Sequence, residues 1–170
     1  MNVDRTRTIY RPPWRVDLVA REGTASPLSD AAIANAAARA LAAADAPSPG
    51  SVTIVLTDDD ELAELNREHM GIEGPTDVLS FPMLALDAFP RALRGRTHIG
   101  DIAISVERAI EQASEGRGGQ TGDVRWSTAD ELRLLVTHGT LHLCGWDHAE
   151  PDQEAAMRAL ERRLLERGEG

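Results

Sequence analysis

Residues 14–19 read W-R-V-D-L-V, apolar and polar by turns, the pattern of a strand with one buried side. An alanine-rich run from Ser29 or Asp30 to residue 44 carries Ile33 and Leu41 and predicts a helix opened by its capping residue. Pro47, Pro49 and Gly50 close it. Residues 52–56 are a short apolar run of strand type. Thr57, Asp58, Asp59, Asp60 and Glu61 then set side-chain acceptors and negative charge at a helix start. Leu62, Leu65 and Met70 give that helix its spacing. A calcium loop is the competing reading of the acidic run, but it would need an acceptor where Leu62 stands and a glycine where Ala63 stands.

Residues 71–75 form a turn, and 78–83 a strand that Pro82 places at an edge. A loop over 84–98 holds Arg91, Arg94, Arg96 and His98. Residues 99–105 predict another strand, passing into a helix over 106–115, and 116–122 a flexible connection. Thr128 with Glu131 has the capping-box spacing and opens a helix to about Cys144. Residues 151–167 complete the pattern as an amphipathic helix with Met157, Leu160, Leu164 and Leu165 on one side. Residues 1–13, ended by Pro12 and Pro13, read as an irregular lead-in. The order implies one domain over 1–170, a small mixed sheet of about four strands packed with five to six helices.

At 170 residues the chain is long enough to bury a core. No run approaches the roughly 18 apolar residues of a membrane span, so no membrane partner is expected. Cys144 is the single cysteine, which excludes an internal disulfide framework and points to the cytoplasm. The net charge is −10, and every one of the 18 basic residues is arginine. Such a field opposes non-specific binding of nucleic acid, so a polyanion must find a local positive site.

That site is legible near residue 140. Three of the five histidines, His138, His142 and His148, fall within eleven residues. His138 and His142 are four apart on the predicted helix and share one face. Gly145 permits the left-handed turn that stops the helix, and His148 can swing back to the same point. Leu132, Leu134, Leu135, Val136, Leu141 and Leu143 surround the helix and make it central. Imidazoles buried there without partners would be costly, and a cation resolves the cost. Three imidazoles and an open fourth position suit one divalent ion, Zn²⁺ first, with Ni²⁺, Cu²⁺ and Fe²⁺ as alternatives. Water on such an ion reaches a pKa of about 7. Cys144 lies about 200° round the helix from His142 and faces the core.

The spacing matches the metallopeptidase pattern H-E-x-x-H-x-x-G-x-x-H, but Gly139 stands where its catalytic Glu belongs. Phosphodiester cleavage is the alternative, with the RNA 2′-hydroxyl as a second possible nucleophile. The run from His138 to His148, H-G-T-L-H-L-C-G-W-D-H, resembles the signature H-G-x-L-H-L-x-G-[YF]-D-H of the YbeY family of bacterial endoribonucleases. P-T-D-V-L-S-F-P from Pro75 and G-D-I-A-I-S from Gly100 resemble two further family segments in the same order, after Leu65-Asn66. The resemblance spans about residues 50–165.

It implies an α+β fold with a metal cleft at the central helix. It implies a metal-dependent enzyme acting on single-stranded RNA, in 3′-end maturation of 16S ribosomal RNA and ribosome quality control, with the ribosome or a ribosomal protein as partner. A non-catalytic assembly factor with a structural metal, and a metallopeptidase-like hydrolase, are the competing readings. The sequence assigns no catalytic base. Asp77 and Asp101 are either carboxylates that orient a metal-bound histidine or turn residues. Asp147 would cap the helix stop, and His69 would favour its own helix C-terminus. Trp146 stands at the Tyr or Phe position, and Met70 where the family carries Arg. Arg67, one turn earlier, is either a replacement phosphate contact or an exposed helix arginine.

Overall fold

The structure, a computed structural model, describes residues 3–83, 95–115, 126–146 and 149–166. Its elements are β1 (Arg5–Arg11), β2 (Trp14–Ala20), α1 (Asp30–Ala43), β3 (Gly50–Thr57), α2 (Asp59–Met70), β4 (Val78–Pro82), β5 (Thr97–Ser105), α3 (Val106–Glu115), α4 (Thr128–Leu143) and α5 (Pro151–Glu166). They form an α+β fold with five strands in the order β1-β2-β3-β5-β4. Strands β2, β3 and β5 run parallel, and the outer strands β1 and β4 are antiparallel to their neighbours.

The lead-in is therefore a strand, which raises the count from four to five. Only Ile9 of β1 is buried, so its sequence, R-T-R-T-I-Y-R, lacks the alternation that marks a strand. Pro12 and Pro13 do not end an irregular segment; they form the two-residue turn that pairs Arg11 with Trp14. Asp30, in the first turn of α1, accepts from Arg5 and Arg7 and ties this strand to the helix.

Each inner strand splits its side chains between two layers. Val52, Ile54 and Leu56 of β3 and Ile102 and Ile104 of β5 join the main core with α1, α3 and α4. Leu79 and Ala103 point the other way and are buried with Leu62 of α2. Helix α4 touches α1, α3, α5, β4 and β5, and buries Leu132, Leu135, Val136, Leu141 and Leu143. It is the centre of the helical layer, as its apolar surround predicts.

The cap of α4 sits one residue earlier than expected. Ser127 and Asp130 make the capping box, not Thr128 and Glu131. Glu131 is fully buried and accepts from the Trp126 indole N–H at 2.9 Å. His98 belongs to β5 rather than a loop, and Arg96 donates to the carbonyls of Pro13 and Gly50 and lies over the Tyr10 ring. Arg96 thus staples the sheet. Arg91, Arg94 and the 116–122 connection lie outside the described residues.

Candidate metal centre and its surroundings

Helix α4 stops because glycine follows its cap. Gly145 adopts φ 97°, and its N–H bonds the His142 carbonyl while the Trp146 N–H bonds the Leu141 carbonyl. This Schellman closure turns the chain sharply after the second histidine. Trp146 packs against the cluster of Ala40, Leu141, Met157 and Leu160, which joins α1, α4 and α5.

One turn apart on α4, His138 and His142 bring their Nε2 atoms within 3.0 Å of each other. The rings meet edge to face with centroids 4.5 Å apart. Behind them stands a residue that sequence reasoning did not single out. Glu161 of α5, only 8% exposed, bonds His138 Nδ1 through Oε1 at 2.5 Å. A carboxylate there accepts the Nδ1–H and leaves the Nε2 lone pair directed toward His142. The signal lay in the last helix: Glu161 is four residues after Met157 and beside Leu160, a carboxylate on the apolar face.

Asp77 and Asp101 bond elsewhere among the described residues. Asp101 bonds His98 Nε2 at 2.8 Å, and the other ring nitrogen of His98 bonds buried Ser51. The Asp77 carboxylate is bonded by neighbouring Thr76, while its carbonyl accepts from Ser105 N–H. His148 and Asp147 lie outside the described residues. Among the described residues no three His, Cys, Asp or Glu side chains group to hold a metal.

The pair nonetheless fits one. Two nitrogens each about 2.0–2.1 Å from a tetrahedral zinc stand about 3.3 Å apart, close to the 3.0 Å seen here. The carboxylate behind the first imidazole is the usual support of a metal-bound histidine. Cys144 is turned toward the core, and burial pushes its thiol up to about 11, so it is a poor metal ligand. A cavity of about 390 Å³ opens beyond the helix stop, lined by Cys144, Gly145, Trp146, Asp152, Gln153 and Ala156, and neither histidine is among its walls.

Gly139 explains the missing peptidase carboxylate. A Cβ at this position would meet Ile102 Cγ2 at 2.9 Å and Val78 Cγ2 at 3.0 Å. Ser80 of β4 also donates to the Gly139 carbonyl at 2.8 Å. Any side chain here would enter the sheet, so helix and strands can approach this closely only over glycine. On the opposite layer, α2 carries exposed Arg67 and ends in His69 and Met70, with the His69 ring edge-on to Phe81 at 5.1 Å.

Comparison with known proteins gives the family. A family model described as endoribonuclease YbeY matches residues 21–169. An endoribonuclease YbeY of Salinispora tropica is 42% identical over 153 residues, covering 86% of this chain and 92% of its own. That of Symbiobacterium thermophilum is 41% identical over 126 residues, covering 74% and 76%. The solution structure of TM1509 from Thermotoga maritima shares the fold at a TM-score of 0.50 and 23% identity, covering 91% of this chain and 88% of its own. No described helix is long and apolar enough to cross a membrane. With its central helix, its histidine pair and these relatives, the chain belongs to the YbeY endoribonuclease family.

Proposed function

We propose that this protein is a metal-dependent endoribonuclease that cuts single-stranded RNA, with one divalent cation, Zn²⁺ by preference, held by His138, His142 and His148. The observation that carries the reading is the convergence of two imidazole Nε2 atoms in front of a buried carboxylate. When bound, the cation supplies Lewis-acid polarisation of phosphate oxygen and acidifies water. The chain's own contribution is orientation. Glu161 holds the His138 tautomer, the Schellman turn fixes where the chain leaves His142, and Gly139 seats the helix on β4 and β5.

The substrate we assign is the 3′ end of 16S ribosomal RNA, in maturation and ribosome quality control in the cytoplasm. Recruitment by the ribosome or a ribosomal protein reconciles a net charge of −10 with an RNA substrate. Protein purified without a polyhistidine tag should contain about one divalent ion per chain by elemental analysis and should cut single-stranded RNA. The His142→Ala variant should lose both. Retained cleavage in that variant refutes the reading. Loss of stability with chelator, in protein that never cuts RNA, would instead make it an assembly factor with a structural metal.

A further inference from the structure

The charge of this chain is unevenly spread. Residues 5–16, which make β1, its turn and the start of β2, carry four arginines and no acid, in a chain whose net charge is −10. Arg5 and Arg7 share a single carboxylate, that of Asp30. Arg15 is met by Asp17, two residues on. Arg11 is held by neutral acceptors alone, the side-chain carbonyl of Asn35 and the backbone carbonyl of Tyr10. Arg96 reaches the same turn from the residue before β5, and it too is held by neutral acceptors, the carbonyls of Pro13 and Gly50. Among the described residues neither Arg11 nor Arg96 meets a carboxylate, so both keep an uncompensated charge.

Tyr10 gathers these groups. Its carbonyl accepts from Arg11, its ladder partner across the hairpin is Arg15, and the Arg96 guanidinium lies 5.8 Å from its ring centroid. Tyr10, Arg15, Ser51 and His98 follow one another in register across four strands, as the end row of one sheet face. The next row holds Asp17 and Asp101 on either side of Thr53. Each of these acids is bonded by a member of the end row, Asp17 by Arg15 and Asp101 by His98. The surplus at this end of the sheet is therefore positive. Both Arg96 bonds come from Nη1, and those of Arg11 from Nε and Nη1. Nη2 of each keeps its N–H donors for an incoming oxygen. A guanidinium already ordered by the fold, with donors to spare, suits a phosphate.

This end of the sheet is also the histidine end of α4. A Cβ on Gly100 would meet Leu143 Cδ2 at 2.7 Å, so the last turn of α4 stands over the start of β5. Arg96 is four residues before Gly100, about 13 Å along an extended chain. About four stacked nucleotides, at ~3.4 Å each, cover that length.

We propose that Arg11 and Arg96, gathered with Arg15 around Tyr10, form a clamp for the phosphate backbone of the single-stranded RNA substrate, apart from the cutting centre. The proposal rests on the endoribonuclease reading and names how so acidic a chain holds a polyanion.

The test follows binding of a labelled, unstructured 2′-O-methyl octanucleotide to the full chain by fluorescence polarisation over a series of salt concentrations, with the probe checked intact on a gel. For single strands each phosphate contact contributes about 0.7 to the slope of log K against log salt. The double variant Arg11→Gln, Arg96→Gln should therefore lower that slope by about 1.4 and raise Kd about tenfold or more at low salt. Arg11→Lys with Arg96→Lys keeps both charges and should keep the slope. Arg21→Gln with Arg158→Gln removes the same charge from guanidiniums paired to carboxylates elsewhere, and should bind as the parent does. Urea midpoints report that each variant is folded. Should the double Gln variant prove unfolded, Arg11→Gln alone leaves the Arg96 staple in place and reads about half the slope change. On natural RNA the Gln variant should raise KM far more than it lowers kcat. An unchanged slope and Kd in the Gln variant, an equal effect of the Arg21 and Arg158 pair, or no binding by the parent overturns the proposal. So does an octaglutamate peptide that displaces the probe as well as unlabelled octanucleotide, which would make the cluster a site for acidic protein. A parent that binds with this salt dependence yet never cuts RNA would sink the endoribonuclease reading and leave the clamp standing.

Discussion

Replacing Gly139 by alanine adds one methyl group at the tightest contact between α4 and the sheet. The new Cβ would stand 2.9 Å from Ile102 Cγ2 and 3.0 Å from Val78 Cγ2. Carbon atoms are at ease near 3.5–4.0 Å, so both neighbours must retreat by about half an ångström or more. Ile102 is fully buried, and the Ser80 bond to the Gly139 carbonyl resists separation of the layers. Overpacking of this kind costs about 1–3 kcal/mol. Against it, removing a glycine from a helix interior gains about 1 kcal/mol. The net expectation is destabilisation by about 1 kcal/mol, which lowers Tm by about 2–4 °C in a domain of this size. Urea unfolding followed by circular dichroism should show a lower midpoint with an unchanged m-value. Cleavage should fall as well, because His138 is the adjacent residue and moves with the helix. A midpoint above that of the parent would show that the layers yield freely, and the steric account of the glycine would fail.

Three further outcomes follow from the same structure. Glu161→Ala should weaken divalent-ion affinity by about 10- to 100-fold in a competition titration, while Glu161→Gln, which keeps an acceptor for Nδ1–H, should lose much less. Hydrogen bonds from Arg21, with help from Thr57, hold the Glu61 carboxyl below its ordinary value of 4.5. A carboxyl depressed in the folded state adds stability above its unfolded value, and loses it as pH falls through the folded one. Glu61→Gln should therefore lower stability at pH 7 by up to about 1 kcal/mol, since the pair is partly exposed, and flatten the acid limb below about pH 4.5 in urea midpoints. Burial pushes the Cys144 thiol from 9.0 up to about 11. Its alkylation by iodoacetamide at pH 8 should run about 100-fold slower in folded than in unfolded protein, and comparable rates would contradict the burial.

The residues that were legible in sequence are those whose local pattern and final environment agree. Helix α4 announces itself by apolar residues on nearly every side, and its centrality follows. His138 and His142 meet because a four-residue step on a helix sets them on one face, one turn apart. Gly145 does what a glycine after a helix does. What failed was partnership across the chain. Strand β1 is held by its ladder to β2 and by arginines on Asp30, neither of which leaves an alternating pattern. Glu161 is 23 residues from the imidazole it bonds, and a carboxylate on an apolar face declares that it has a partner without naming it. Asp101 has motif context, but only the bulge between Ser51 and Val52 shows that it lies beside His98, three residues earlier on the same strand.

The dependence of His138 on Glu161 sets an order of assembly. A nascent polypeptide that has emerged only as far as Leu143 already contains both imidazoles, but the helix bearing their brace is still inside the ribosome's exit tunnel. Until α5 docks through Met157 and Leu160, His138 Nδ1 lacks the Glu161 carboxylate. The brace of the histidine pair is thus the last part of the chain to be laid down, after the sheet and its other helices can form.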